Sequence, residues 1–432
     1  MIKLIRFTPL LAIIVFTAHY AKAENTASPL PDPLTLEAAL SYQNVLHPNI
    51  KIKESGLSQA KESLGLTESI TDVDIRAIAE ARYIEPPNTL VSLGREDHRA
   101  KITARKTLYD FGRTSHLSNS AKQLVDVAEL ELNKSIQLHR LEVMQSFFNV
   151  ILADLRYNYD NEAMAIYFIQ YDRAKERYEL GQLSEIDVLQ KQSEYMEVRR
   201  DRFRSEAKQR TTRVAMSEIL NTPSQVISRF IPPVLDYSKY KIKDVDQLEA
   251  FALNNNIDLK ILQKKREKAR KIIQSLRANK RPIVSATAEA GIYSRGLGSN
   301  NDWLLGLGVE IPLYQGSRVS KSIAVQNEIV QQINYQILHE ELQLKKEILS
   351  LWLDIDVLLK QRESTEVAVD YRELYLDRAR SLYEMEVKTD LGDSMVALTS
   401  AARYQAETEF ELAMKWERLS YLTQMKLEAL RQ

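Results

Sequence analysis

"VEIPLYQGSRVS", residues 309–320, joins two patterns that belong to different kinds of element. Leading into it, apolar residues take every second position: Trp303, Leu305, Leu307, Val309, Ile311 and Leu313. Beyond Gly316 the chain runs to Gly392 without a glycine or a proline. Alternation marks a strand with one apolar and one wet face. A long run free of helix breakers marks a helix. Pro312, Tyr314 and Gly316 therefore sit where a strand must stop and a helix must start.

The same junction occurs earlier in the chain. "LYDFGR" at 108–113, with Gly112 at its turn, answers "LYQGSR" at 313–318. "RYELGQLSEIDVL" from Arg177 answers "LYEMEVKTDLGDSMVAL" from Leu382, and "LEAALSYQNVLHPNIK" from Leu36 answers "LEAFALNNNIDLK" from Leu248. All three pairs share an offset of roughly two hundred residues, far beyond a solenoid period. The chain is a duplicated half-molecule. Residues 24–221 form the first repeat, 222–243 a linker with Pro223, Pro232 and Pro233, and 244–432 the second repeat.

Each half reads as an opening helix (36–66, 248–278), two strands, a very long helix and a return helix. The strands are expected at about 73–83, 97–109, 282–292 and 303–313, the long helices at 113–180 and 317–388, and the return helices at 184–220 and 394–428. At ~1.5 Å per residue each long helix is a rod on the order of 100 Å. Leu141, Met144, Phe148, Ile151 and Leu155, and later Ile348, Trp352, Ile355 and Leu359, recur at near-heptad spacing. Such stripes specify coiled-coil packing, and an ordinary long coiled coil accounts for them equally well.

The strands carry more information. In the first, Val73, Ile75, Ala77, Ala79, Ala81 and Tyr83 oppose Asp74, Arg76, Ile78, Glu80 and Arg82. In the second, His98, Ala100, Ile102, Ala104, Lys106 and Leu108 oppose Asp97, Arg99, Lys101, Thr103, Arg105, Thr107 and Tyr109. Val284, Ala286, Ala288, Ala290 and Ile292 continue the scheme in the second half. About eleven residues of alternation is the length that crosses a bilayer at a tilt, and Tyr83, Tyr109, Trp303 and Tyr314 lie near the ends, where aromatic girdles sit. A soluble antiparallel sheet packed on a helix uses the same alternation. The helices, however, are far too long to cover a compact sheet. Two hairpins make four strands, too few to close a barrel with a lumen, and an open edge in lipid leaves backbone groups unpaired. A membrane-spanning reading therefore requires several chains to share one barrel.

Composition narrows the function classes. With 59 basic and 59 acidic side chains there is no net basic footprint for nucleic acid. The basic run from Lys264 to Lys271 lies on a helical pattern and reads as a solvated face. There is no cysteine, hence no disulfide, thiolate metal site or acylated N-terminal cysteine. Residues 1–23 have the form of a cleaved signal peptide: Lys3 and Arg6, an apolar stretch from Leu10 to Ala18, and Ala21-Lys22-Ala23 before Glu24. His47, His98, His116, His139 and His339 are scattered without metal spacing. No nucleophile elbow or phosphate loop is present. No catalysis and no cofactor are expected.

Taken together and doubled, "LTLEAAL", "HPNIK", "LYDFGRT", "IPLYQGSR" and "RYELGQLSEIDVLQKQSEY" resemble the TolC family of bacterial outer-membrane export channels across nearly all of the mature sequence. The resemblance implies a mainly α chain with a transmembrane β part. It implies a homotrimer whose twelve strands close one β-barrel in outer-membrane lipid, continued by an α-helical barrel across the periplasm. Loops 85–96 and 294–301 would face outside. The implied function is a passive conduit in type I protein secretion or small-molecule efflux. Its partners would be a periplasmic adaptor and an inner-membrane ABC or RND transporter, which supplies the energy. Lack of a lipid-anchor cysteine inclines the reading toward protein secretion.

The resemblance also implies a gate at the helical tips. Asp187 would accept from Tyr383, and Lys388 stands where the family has an arginine that bonds across neighbouring coils. Lysine lacks the bidentate fork of arginine, so the latch would be weaker or differently partnered here. Asp390 and Asp393 have the spacing of the family's pore-constriction carboxylates, displaced by a few positions and interrupted by Gly392. An ordinary turn would use the same residues, since aspartate caps helix starts well. The main rival reading is a soluble periplasmic coiled-coil adaptor, with the same helices but no lipid-facing strands.

Overall fold

A computed structural model describes residues 30–42, 47–85, 95–223, 225–235, 242–294, 301–385 and 391–430. The proposed signal peptide, most of the two strand-connecting loops, Lys388 and Asp390 lie outside the described residues. The elements in chain order are α1 (Leu36–Tyr42), α2 (Pro48–Glu68), β1 (Asp74–Glu80), β2 (Arg99–Tyr109), α3 (Arg113–Glu179) and α4 (Glu185–Ile219). The second half follows with α5 (Val245–Asn255), α6 (Ile257–Ala278), β3 (Ile283–Tyr293), β4 (Trp303–Glu310), α7 (Arg318–Glu384) and α8 (Leu391–Thr423).

The opening helix of each half is broken in two, where periodicity alone reads one helix. In the first half Pro48 occupies the first turn of α2 and His47 caps it, its Nδ1 accepting from Asn49 N at 3.3 Å. A residue before proline is disfavoured from helical conformation, so the chain must turn there. In the second half Asn256 ends α5 and caps α6. Its Oδ1 accepts from Asp258 N and Leu259 N at 2.8 and 3.2 Å, while its Nδ2 donates to Leu422 O at 3.2 Å. Further boundaries differ from the periodicity reading, among them the end of β1 at Glu80 rather than 83 and the end of α8 at Thr423 rather than 428. β4 stops at Glu310 because Pro312 has no N–H to give the ladder. α8 begins at Leu391, which takes Gly392 and Asp393 into its first turn.

α3 and α7, of 67 residues each, are the two continuous rods. α2 lies along the first part of α3, with Glu68 accepting from Ser118 at 3.0 Å and Lys53 reaching Glu131 at 3.1 Å. α4 lies along the last part, with Arg202 donating to Tyr157 at 2.8 Å and Arg213 forking onto Asp154 at 2.7 and 2.8 Å. α6 and α8 follow α7 in the same way, through Arg266 to Asn334 and through Lys415 to Asp354 at 2.8 Å. Each protomer thus presents four helical lines, two unbroken and two assembled from successive helices.

The core sits midway along the rods, where α1, α5 and the end of α8 wrap them. Trp416, Phe147, Phe148, Leu34, Leu248, Ile348 and Ile355 are fully buried there. Phe148 stacks on Phe410 at 4.4 Å, and Phe147 meets Phe230 edge-on at 5.5 Å. Burying each of these large side chains is worth about 1.5–3 kcal/mol. The linker is tied into this belt: Leu34 N donates to Arg229 O and Ile231 N to Leu34 O, both at 2.9 Å, and Trp352 Nε1 donates to Lys243 O at 3.1 Å.

The strands form one antiparallel sheet in the order β1-β2-β3-β4. Pairing of β2 with β3 sets the two halves side by side. β1 and β4 are left as open edges. Among the described residues no helix is long and apolar enough to cross a membrane.

Candidate functional site

The register sorts the sheet into two chemically opposite faces. Ala77, Ile102, Ala290 and Trp303 form one cross-sheet row, and Ile75, Ala104, Ala288 and Leu305 the next. Nothing among the described residues covers this face: Leu305, Leu307 and Ile292 are each at least 75% exposed. Rows on the other face run Asp74, Arg105, Thr287, Gly306 and Arg76, Thr103, Glu289, Leu304. Here the charges are knitted across strands. Arg99 donates to Glu80 at 2.8 Å, Lys101 to Glu289 at 3.0 Å, and Tyr293 Oη to Glu289 at 3.0 Å. One face is built for hydrocarbon, the other for water.

One residue departs from strict alternation. A bulge between Thr107 and Tyr109 shifts the register, so Tyr109 pairs with Val284 rather than following Thr107. Tyr109 is thereby carried onto the apolar face, whereas simple parity places it on the polar one. A bulge inserts one residue and re-aims those beyond it. The adjacent apolar pair Leu108-Tyr109, a break in the alternation, is the only trace of this in the sequence.

The strand-to-helix junctions are made by backbone geometry. Gly112 has φ +89° and Gly316 φ +63°, conformations that cost a side-chain-bearing residue about 1–2 kcal/mol. Beside Gly112, the Asp110 carboxylate accepts from Gly112 N at 3.2 Å and Thr114 N at 2.7 Å, closing the first turn of α3. Pro312 ends the second hairpin, and Leu313 and Tyr314 stand at least 90% exposed beyond it.

At the far end of the rods, α3 turns into α4 through Gly181 and a capping box. Ser184 Oγ accepts from Asp187 N at 3.4 Å, and Asp187 Oδ2 accepts from Ser184 N and Oγ at 3.0 and 2.7 Å. The hydrogen bonds from the Ser184 side chain and backbone hold the Asp187 carboxyl below its usual range. Tyr383 lies half-exposed in the last turn of α7. Within the protomer no hydrogen bond joins it to Asp187 among the described residues. Asp393 is exposed in the first turn of α8.

Sequence reasoning did not foresee the seam between α8 and α3. Thr399 Oγ1 donates to Glu162 Oε2 at 2.6 Å, and nearer the tip Gly392 abuts Ile166. Thr399 and Glu162 lie 237 positions apart, and neither belongs to a motif. Among the described residues no three histidine, aspartate or glutamate side chains gather as a metal site requires.

The sequence model of the outer membrane efflux protein family matches residues 87–222 and 250–419, covering both halves and omitting the linker. No curated protein matches the chain by sequence. Among solved structures the chain is similar to the outer membrane protein VceC of Vibrio cholerae, at 15% identity over 90% of this chain and 95% of that one, with a TM-score of 0.70. It is similar also to the CmeC outer membrane channel of Campylobacter jejuni, at 13% identity over 90% and 85% of the two chains, with a TM-score of 0.73. A third likeness is to CusC, at 16% identity over 90% and 91%, with a TM-score of 0.71. At these identities the likeness is one of fold.

Proposed function

The chain belongs to the outer membrane efflux protein family and is an outer-membrane channel reaching into the periplasm, not an enzyme; from that premise we propose that three copies close into one conduit. Four strands from each protomer make a twelve-stranded β-barrel, and four helical lines from each make a twelve-membered tube beneath it. The observation that carries this reading is the sheet, with an uncovered apolar face, an ion-paired polar face and two open edges. In lipid those edges need partners, because each unpaired backbone group there costs several kcal/mol.

The conduit is passive. It serves as the exit of a tripartite system, docked through a periplasmic adaptor to an inner-membrane ABC or RND transporter. Its cargo is a secreted protein or a small molecule. The tips, with Asp187, Tyr383 and Lys388 between neighbouring coils and Asp390 and Asp393 at the opening, form the gate. A soluble adaptor has no use for an apolar sheet face.

The test is the mass of the detergent-solubilised complex together with its conductance in a planar bilayer. Three chains and a discrete channel are expected. A water-soluble monomer obtained without detergent would sink the reading.

A further inference from the structure

The apolar face of the sheet carries one cation. Lys106 pairs with Ala286, among Ala104, Ala288 and Leu307, and is exposed without an ion-pair or hydrogen-bond partner among the described residues. A lysine facing hydrocarbon is costly unless its stem lies along the apolar wall and its ammonium reaches the interface. Lys106 stands one residue before the bulge, near the end of the sheet that meets the rods, so the nearer interface is the periplasmic one.

That rim holds a matched set of groups. The bulge brings Tyr109 to the same face, and its ring meets Phe111 edge-on at 4.7 Å. Arg281, just ahead of β3, donates from Nη1 to the Phe111 carbonyl at 3.1 Å and is exposed. The nearby acid, Asp110, is already engaged by the amides of Gly112 and Thr114. Lys106 thus lies on the same face as Tyr109, three residues away along β2, and Arg281 is bonded to the backbone of Phe111.

We propose that Lys106, Arg281 and the Tyr109–Phe111 pair form a seat for the phosphate of an anionic glycerophospholipid in the periplasmic leaflet, one per protomer. The cations bind the phosphate oxygens, and the rings pack on the glycerol and upper acyl carbons. The bulge serves this site, because without it Tyr109 would face the lumen. The seat rests on the reading that the sheet spans the outer membrane.

Lipid selectivity measured by electron spin resonance tests it. The detergent-purified oligomer is reconstituted in phosphatidylcholine vesicles containing spin-labelled phosphatidylglycerol or spin-labelled phosphatidylcholine. The motionally restricted fraction is compared at physiological salt. The wild type is expected to favour phosphatidylglycerol by roughly three- to fivefold. Lys106→Leu with Arg281→Gln should bring the ratio to about one, and Lys106→Arg, which keeps the charge and the fold, should retain the preference. Equal restriction of both lipids by the wild type, or a preference surviving the double substitution, overturns the seat. A wild type that restricts neither lipid overturns the membrane-spanning sheet, and the seat with it.

Discussion

Gly392 and Ile166 touch so closely that a Cβ on the glycine would stand 2.2 Å from the isoleucine Cδ1 and 3.1 Å from its Cγ1. The first turn of α8 therefore rests directly on α3. Two turns further on, Thr399 is hydrogen-bonded to Glu162 across the same seam. Gly392→Ala must swing the Ile166 Cδ1 aside and crowds its Cγ1, which loosens the seating of α8 on α3. Overpacking of this kind costs about 1–3 kcal/mol, enough to shift a two-state tip roughly tenfold. Raised single-channel conductance is expected, with Ile166→Ala in the same background returning it toward the wild-type value. Wild-type conductance in Gly392→Ala would show that this seam does not govern the aperture.

The tip offers a second way to the same readout. Within the protomer Asp187 is held by Ser184, and Tyr383 has no hydrogen bond to it among the described residues. If the assembled channel uses these side chains as a latch, Tyr383→Phe with Lys388→Ser raises conductance. Ser184→Ala separates capping from latching: it should cost the protomer about 1 kcal/mol of helix-cap stability while leaving the Asp187 carboxylate to its neighbours. Conductance unchanged in the double variant would assign Asp187 to the cap alone.

How far the sequence reveals these features depends on whether a feature is local. Alternation in 303–313 and 97–109 is a property of consecutive residues, and the sheet follows it until the bulge. The breaks at His47-Pro48 and Asn256 are local too, but a hydrophobic period of 3.6 runs through them. Only the capping chemistry of the short polar stretches, "HPN" and "NNNID", betrays the turns. Ser184-Glu185-Ile186-Asp187 is a capping-box sequence, and the structure uses Asp187 in that role. Gly392 is visible as an interruption, yet its cause is a side chain 226 positions earlier, which no local pattern names. The bond from Arg281 to the Phe111 carbonyl is hidden for the same reason, since it joins the two halves of the chain.

If Asp390 and Asp393 line the opening as proposed, they would bear on selectivity rather than size. Asp393 is exposed at the start of α8. A ring of carboxylates at a constriction concentrates cations and binds multivalent ones. Replacing both by Asn should lower cation preference and relieve block by divalent or trivalent cations, while conductance at high salt changes little. An unmoved reversal potential under a salt gradient would place the pair outside the pore.

Stability should also depend on pH through His139. Its ring is 2% exposed, stacks on His47 at 4.2 Å, and has the Glu142 carboxylate 3.5 Å from Nδ1. Burial, helped by His47 and opposed by Glu142, lowers its pKa below the ordinary 6.5. A group with a depressed folded-state pKa takes up its proton more readily when unfolded. Its contribution is therefore complete above about pH 6.5 and lost as the pH falls toward the folded-state value. Thermal unfolding of the detergent-solubilised protein should shift to lower temperature between pH 7.5 and pH 5. His139→Phe keeps a flat ring against His47 and removes the titration, so its unfolding temperature should change less over that interval. An equal shift in wild type and variant would move the pH dependence away from His139, though not to Glu340 and Glu417. Both carboxyls are pushed up by burial, so they act with the opposite sign, stabilising at low pH and losing that contribution as the pH rises through their folded-state values. Since those two oppose the trend expected of His139, a net loss of stability on acidification that vanishes in His139→Phe isolates the histidine.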